Sequence, residues 1–157
     1  YYKNPKWGMA LVALAGPLSN IITAFIALLL HYIIYTVLIL VNASVAVLNV
    51  YVYFAFFFST VAQINVYLAV FNLIPIPPFD GSRILFTFLP QKYYFKVMQY
   101  ERYIFIGFFL LLIIYNWLVR NYNFSFLSLI LDPIVNVILY GITYLAALPF
   151  NLLGVLF

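Results

Sequence analysis

Long apolar runs separated by short polar punctuation dominate the chain, and the runs exceed what the helices of a water-soluble core need. From Gly8 to Val41 there is no charged residue and a single histidine, His31. As a helix this stretch would extend roughly 50 Å, against a bilayer core of about 30 Å. The Gly16-Pro17 pair is expected to divide it, leaving a shallow entry and then a helix from Pro17 to Leu40. Proline in a first turn gives up no needed hydrogen bond. Asn42 and Ser44 supply turn chemistry, and a second span is predicted from Tyr51 to Leu73. A helix restarts after Gly81. Between Gln91 and Arg102, one helical stripe carries Lys92, Lys96, Gln99 and Arg102 against Tyr94, Val97 and Met98, the pattern of a helix lying on a membrane surface. A third span runs from Tyr103 to Val119 and closes at Arg120-Asn121. After Ser125 the chain is apolar again but interrupted by Asp132-Pro133 and Pro149, which predicts a broken or re-entrant stretch followed by a short last helix.

This pattern predicts an all-α fold, a polytopic transmembrane bundle of about four spans forming one transmembrane domain across residues 1–157. Composition agrees. With 68% hydrophobic and 6% charged residues, the chain cannot coat a soluble globule with polar surface. A formal charge of +4 without any basic run suggests orientation beside anionic lipid, not nucleic-acid binding. No cysteine is present, so disulfides, thiolate nucleophiles and Cys-based metal sites are excluded. Six of the seven basic residues, Lys3, Lys6, Arg83, Lys92, Lys96 and Arg102, fall on one side if two spans precede the Arg83 to Arg102 loop; Arg120 falls on the other. That bias places the loop in the cytoplasm.

The segment FNLIPIPPFDG, residues 71–81, carries the candidate chemistry. Prolines 75, 77 and 78 remove backbone donors and push their predecessors out of helical conformation, so the chain must reach Asp80 by an irregular path. Irregular backbone at membrane depth survives only when buried in protein or lining a wet cavity. Asp80 is one of three acidic residues in the sequence, and an ionisable group beside hydrocarbon usually pairs, ligates or catalyses. Two plainer roles remain open for it: capping the helix that starts at Ser82, or pairing with Arg83.

The same segment resembles the N-x-x-P-x-P-x-x-D-G motif of the site-2 protease family of intramembrane zinc metalloproteases. ALAGPLSN, residues 13–20, resembles the A-G-P-x-x-N motif of that family's preceding span. The likeness extends to YYKNPKWGM as a basic arm and to QKYYFKVMQYERYIFIGFFLLLII as a surface helix and span. The resemblance implies a hydrolase whose zinc takes Asp80 as third ligand. Asn72 would be a catalytic amide on the substrate carbonyl or oxyanion, and Ile74, Pro75, Ile76 and Pro77 would form a backbone edge for an unwound substrate strand. Asn20 would belong to the substrate-facing polar lining, and Gly81 would leave room beside the metal. The implied partners are a membrane-embedded peptide or protein substrate and the lipid bilayer, in the cell membrane with the site open to the cytoplasm.

One departure is plain. The family's H-E-x-x-H helix, which provides two histidines and the general-base glutamate, does not occur here, and His31 has no carboxylate or second histidine close after it. The chain, opening at Tyr1, is therefore expected to be the C-terminal part of a longer protein and inactive alone. A catalytically inactive helix-binding member and a small transporter built around Asp80 and Arg83 are the alternatives. His31 is expected to be a hydrogen-bonded residue inside a bundle.

Overall fold

The structure, a computed structural model, describes residues 5–119 and 126–154. Among these it is all-helical: α1 Pro5–Leu40, α2 Val45–Asn72, α3 Asp80–Thr87, α4 Gln91–Gln99, α5 Glu101–Val119 and α6 Phe126–Leu152. Three segments are long and apolar enough to cross a membrane, Trp7–Leu40, Val45–Asn72 and Leu129–Leu152. The third span expected from the sequence, Tyr103 to Val119, falls on α5, a helix of 19 residues that is not one of these three. Large apolar side chains stand exposed along these helices, Val12, Phe56, Trp117 and Tyr140 among them, as lipid-facing surfaces require. This is an integral membrane protein.

Two expectations about helix breaks fail. Gly16-Pro17 does not divide the first stretch: α1 runs unbroken for 36 residues with Pro17 inside it. Residues after 125 are not re-entrant either, because α6 is a single helix of 27 residues that includes Pro133 and Pro149. A proline costs its helix one hydrogen bond, but leaving the helix inside a membrane would expose many more backbone groups, so the helix continues. The second span also starts earlier than expected, at Val45, after a turn in which Asn42 takes a left-handed φ of 49°. Asparagine tolerates that conformation better than most residues.

The described chain packs as two compact units joined through continuous helices. One comprises residues 1–18 and 69–133, the other 19–68 and 134–157. In the first unit, the end of α2, the proline segment and α5 are held together by aromatic contacts. Phe79 meets Phe71 edge-on at 4.5 Å between ring centroids and Phe108 at 5.7 Å. Trp7 of α1 packs edge-on against Phe88 just after α3, at 5.9 Å. The surface helix expected from Gln91 to Arg102 is interrupted at Tyr100, which ends α4 and hands over to α5. Lys92, Lys96, Gln99 and Arg102 are nonetheless all exposed, as the stripe requires. Lys3 and the Arg120-Asn121 closure lie outside the described residues.

In the second unit the core is built from small side chains. Ala24, Ala62, Val66, Val135 and Ala146 are fully enclosed, and small residues are what let membrane helices approach closely without a hydrophobic driving force. His31 is hydrogen-bonded within the bundle, as expected, to Tyr51 of α2.

Candidate active site

The proline segment occupies seven residues between α2 and α3 and is irregular throughout, as its prolines demand. Its ends are fixed by short-range hydrogen bonds. The Ile74 N–H donates to the Phe71 carbonyl at 3.1 Å and the Phe79 N–H to the Ile76 carbonyl at 3.0 Å. From Pro75 to Pro78 the single backbone donor is the N–H of Ile76. Pro77 is buried, Pro75 is exposed, and the Pro77-Pro78 bond is cis. The segment therefore offers carbonyls and one N–H to any strand laid against it.

Asp80 is the first residue of α3. The cap position belongs to Phe79, which makes no side-chain cap hydrogen bond, so Asp80 is not the helix cap. Among the described residues no ion pair joins Asp80 to Arg83, whose enclosed Nε makes no hydrogen bond. Placement in the first turn does set the carboxylate at the positive end of the helix dipole. The next residues lock the turn: buried Ser82 donates its hydroxyl to the Phe79 carbonyl at 2.7 Å, and Thr87 donates to the Arg83 carbonyl at 2.8 Å.

Two glycines shape this carboxylate's surroundings. A Cβ at Gly16, in the middle of α1, would stand 3.0 Å from Asp80 Oδ2. The two sequence motifs thus meet in space: the glycine of one borders the aspartate of the other. Gly81 behaves differently from expectation. The space beside it is filled by backbone, since a Cβ there would collide with the Leu73 carbonyl and lie 2.8 Å from the Ile74 oxygen. Gly81 exists so that the start of α3 can sit against the end of α2.

Asn72 is the last residue of α2, half-buried, in the same unit as the proline segment and Asp80. Asn20 lies in the other unit, one turn along α1 from Gly16. The contact that sequence reasoning missed is Gly16 with Asp80. Its signal is the glycine in A-G-P-x-x-N, which lies inside the unbroken helix α1.

Zinc fits these residues only in part. Asp80 offers one hard oxygen ligand in a seat kept open by Gly16, but among the described residues no group of three His, Cys, Asp or Glu side chains could hold a metal ion. A complete site needs ligands from outside the described residues.

The comparisons with known proteins agree with this architecture. The model of Peptidase family M50 matches residues 39–114, a range that takes in α2, the proline segment and Asp80. The chain is 36% identical over 115 residues to "Putative zinc metalloprotease YwhC" of Bacillus subtilis, covering 72% of this chain and 49% of that protein. It is 38% identical over 74 residues to "Putative zinc metalloprotease MJ0611" of Methanocaldococcus jannaschii, covering 47% of this chain and 31% of that protein. No solved structure matches. Over residues 39–114 the chain is thus similar to Peptidase family M50, the site-2 protease family. It spans about half the length, or less, of the curated relatives it matches.

Proposed function

We propose that the complete protein is a zinc-dependent intramembrane protease that cleaves membrane-embedded or membrane-tethered peptides, and that this chain supplies its third metal ligand, Asp80. The observation that carries the reading is the approach of Gly16 to the Asp80 carboxylate, which joins both motifs around one acid beside an irregular proline segment. A buried or half-buried carboxylate with space maintained beside it is a poor stability device and a good ligand. Zinc, when bound, lowers the pKa of a coordinated water toward about 7 and polarises a carbonyl.

The chain's own residues bind and orient. Asn72 donates its amide to the substrate carbonyl oxygen, where charge develops. The Ile76 N–H and the carbonyls of Ile74, Pro75 and Pro77 supply the polar edge that an unwound substrate needs once its own helix is opened. The basic residues on α4 and the start of α5 set the proline segment toward the cytoplasm, with the cell membrane as the site of action.

The test is metal dependence in the complete protein. Purified in detergent, it should hold one zinc and cut a membrane-spanning model peptide. A chelator should abolish cleavage and added zinc restore it. Cleavage indifferent to the chelator contradicts the metalloprotease reading, and zinc retention without any cleavage favours the inactive, helix-binding alternative.

A further inference from the structure

The end of α4, the start of α5 and the proline segment share a cleft of about 390 Å³, within the range of about 300–1,000 Å³ that small-ligand sites occupy. Pro78, Met98, Gln99, Glu101, Arg102 and Phe105 line it. The elbow between the two helices sets its geometry. As α4 ends, the Tyr100 N–H donates to the Val97 carbonyl at 3.0 Å; as α5 begins, the Tyr100 carbonyl accepts from the N–H groups of Tyr103 and Ile104, both at 3.0 Å. Gln99, Glu101 and Arg102 are thereby carried on one fixed turn of backbone.

Charge singles this cleft out. Exposed apolar residues surround α5 on every side, so an apolar face by itself selects nothing. The charges are one-sided. Lys92, Lys96 and Gln99 stand four and three residues apart on α4, and Arg102 continues the line on α5, all four exposed. Three cations, Lys92, Lys96 and Arg102, stand against one half-buried acid, Glu101. The complement of such a surface is an anion.

Depth identifies the anion. Every charge between residues 91 and 119 falls at or before Arg102, and none follows from Tyr103 to Val119. Arg102 therefore stands where water gives way to hydrocarbon, the level of phospholipid phosphates. Tyr93, Tyr100 and Tyr103 are exposed beside it, as tyrosines are at that boundary. Past Arg102 on the same face of α5 come Phe105, Phe109 and Ile113, each exposed, and the rings of Phe105 and Phe109 meet at 4.6 Å. From Arg102 to Ile113 the helix rises about 17 Å, close to half of a bilayer core of about 30 Å. A cationic, polar cleft at the head of an apolar track one leaflet deep fits a molecule with both an anionic head and a hydrocarbon tail.

We propose that this cleft binds the headgroup of an anionic phospholipid. The Arg102 guanidinium and the Gln99 amide donate to its phosphate, Lys96 and Lys92 add attraction from the preceding turns of α4, and Glu101 accepts from a headgroup hydroxyl such as glycerol provides. One acyl chain lies along Phe105 and Phe109. Because Pro78 is a wall of the cleft, an occupied site braces the proline segment. The binding does not rest on the protease reading, and its test needs no cleavage.

The experiment uses the complete protein, equilibrated in detergent with an equimolar mixture of phosphatidylglycerol, phosphatidylethanolamine and phosphatidylcholine of identical chains. Native mass spectrometry reads which lipid binds first. Phosphatidylglycerol should exceed each of the other two by about fivefold or more, since one basic residue near a membrane surface is worth about 1 kcal/mol. Arg102→Gln, at an exposed position, should remove most of that preference, and Arg102→Lys, which keeps the charge, should retain most of it. Lys92→Gln makes the same change of charge about 10 Å along α4 from Gln99 and should cost less than twofold. Equal uptake of the three lipids, or a preference that survives Arg102→Gln, overturns the proposal and leaves the cleft to the rest of the protein. A loss as large in Lys92→Gln as in Arg102→Gln also overturns it, because diffuse attraction to basic charge would then suffice. Phosphatidylethanolamine taken up as well as phosphatidylglycerol contradicts the anionic assignment.

Discussion

Gly16 on α1 and Asp80 on α3 approach so closely that any side chain at position 16 would begin 3.0 Å from the Asp80 Oδ2 atom. The sixty-three residues between them pass through two long helices and the proline segment before the chain returns. Because the neighbouring atom is the end of a rotatable carboxylate, a methyl group can be accommodated by a shift of a few tenths of an ångström; a larger side chain takes the carboxylate's place. Gly16→Ala in the complete protein should therefore weaken zinc binding modestly, and Gly16→Leu should weaken it by roughly 10- to 100-fold, the scale found when the support of a ligand is lost. Zinc stoichiometry under competition with a chelator measures both. Full retention by the leucine variant would show that the carboxylate is not seated there.

Gly81 makes the opposite case, since its would-be neighbour is backbone and cannot rotate away. Gly81→Ala should reduce stability by about 1–3 kcal/mol, as overpacked sites do. Gly107 and Gly141 have open space where a Cβ would go, and alanine at either helical position should be neutral or stabilising by up to about 1 kcal/mol. Unfolding in mixed micelles compares the three directly, and equal effects would contradict the packing account of Gly81.

The Tyr51 hydroxyl serves two atoms of His31. Tyr51→Phe keeps both ring stacks, with His31 and with Tyr35, and removes only the hydroxyl. A loss of about 1–2 kcal/mol is expected, since side-chain hydrogen bonds between membrane helices average about 0.6 kcal/mol and reach about 1.7. No loss in the same unfolding assay would show that the pair is not formed.

Orientation is checked without removing any native thiol, because the chain has no cysteine. Single cysteines at Lys92, on α4, and at Ser44, in the turn between α1 and α2, are both exposed. An impermeant thiol reagent on intact cells should label the Ser44 site and spare the Lys92 site. The reverse pattern would invert the topology.

The membrane class, the irregular path through residues 73–79 and the helix restart near Gly81 were legible in the sequence because composition and proline act locally. Pro17, Pro133 and Pro149 misled for a physical reason: the rule that proline ends a helix assumes water is ready to bond the freed groups, and in hydrocarbon it is not. The Gly16 contact with Asp80 and the collision space of Gly81 could not be read from the chain, since both depend on which backbone the fold brings alongside. The glycines themselves were visible, but their neighbours were not. The pairing of His31 with Tyr51 likewise required knowing that one tyrosine, twenty residues later, reaches two of its atoms.

The central claim is that Asp80 is a metal ligand of a protease, and zinc content measured beside cleavage in Asp80→Asn and Asn72→Ala tests it most directly. The carboxamide is neutral and a weak ligand for a divalent ion, so Asp80→Asn should insert normally, lose its zinc and cut nothing. Asn72→Ala should keep its zinc and turn over roughly 100-fold more slowly, as when one oxyanion donor is removed. An Asp80→Asn protein that retains stoichiometric zinc and cleaves at the normal rate would contradict the assignment.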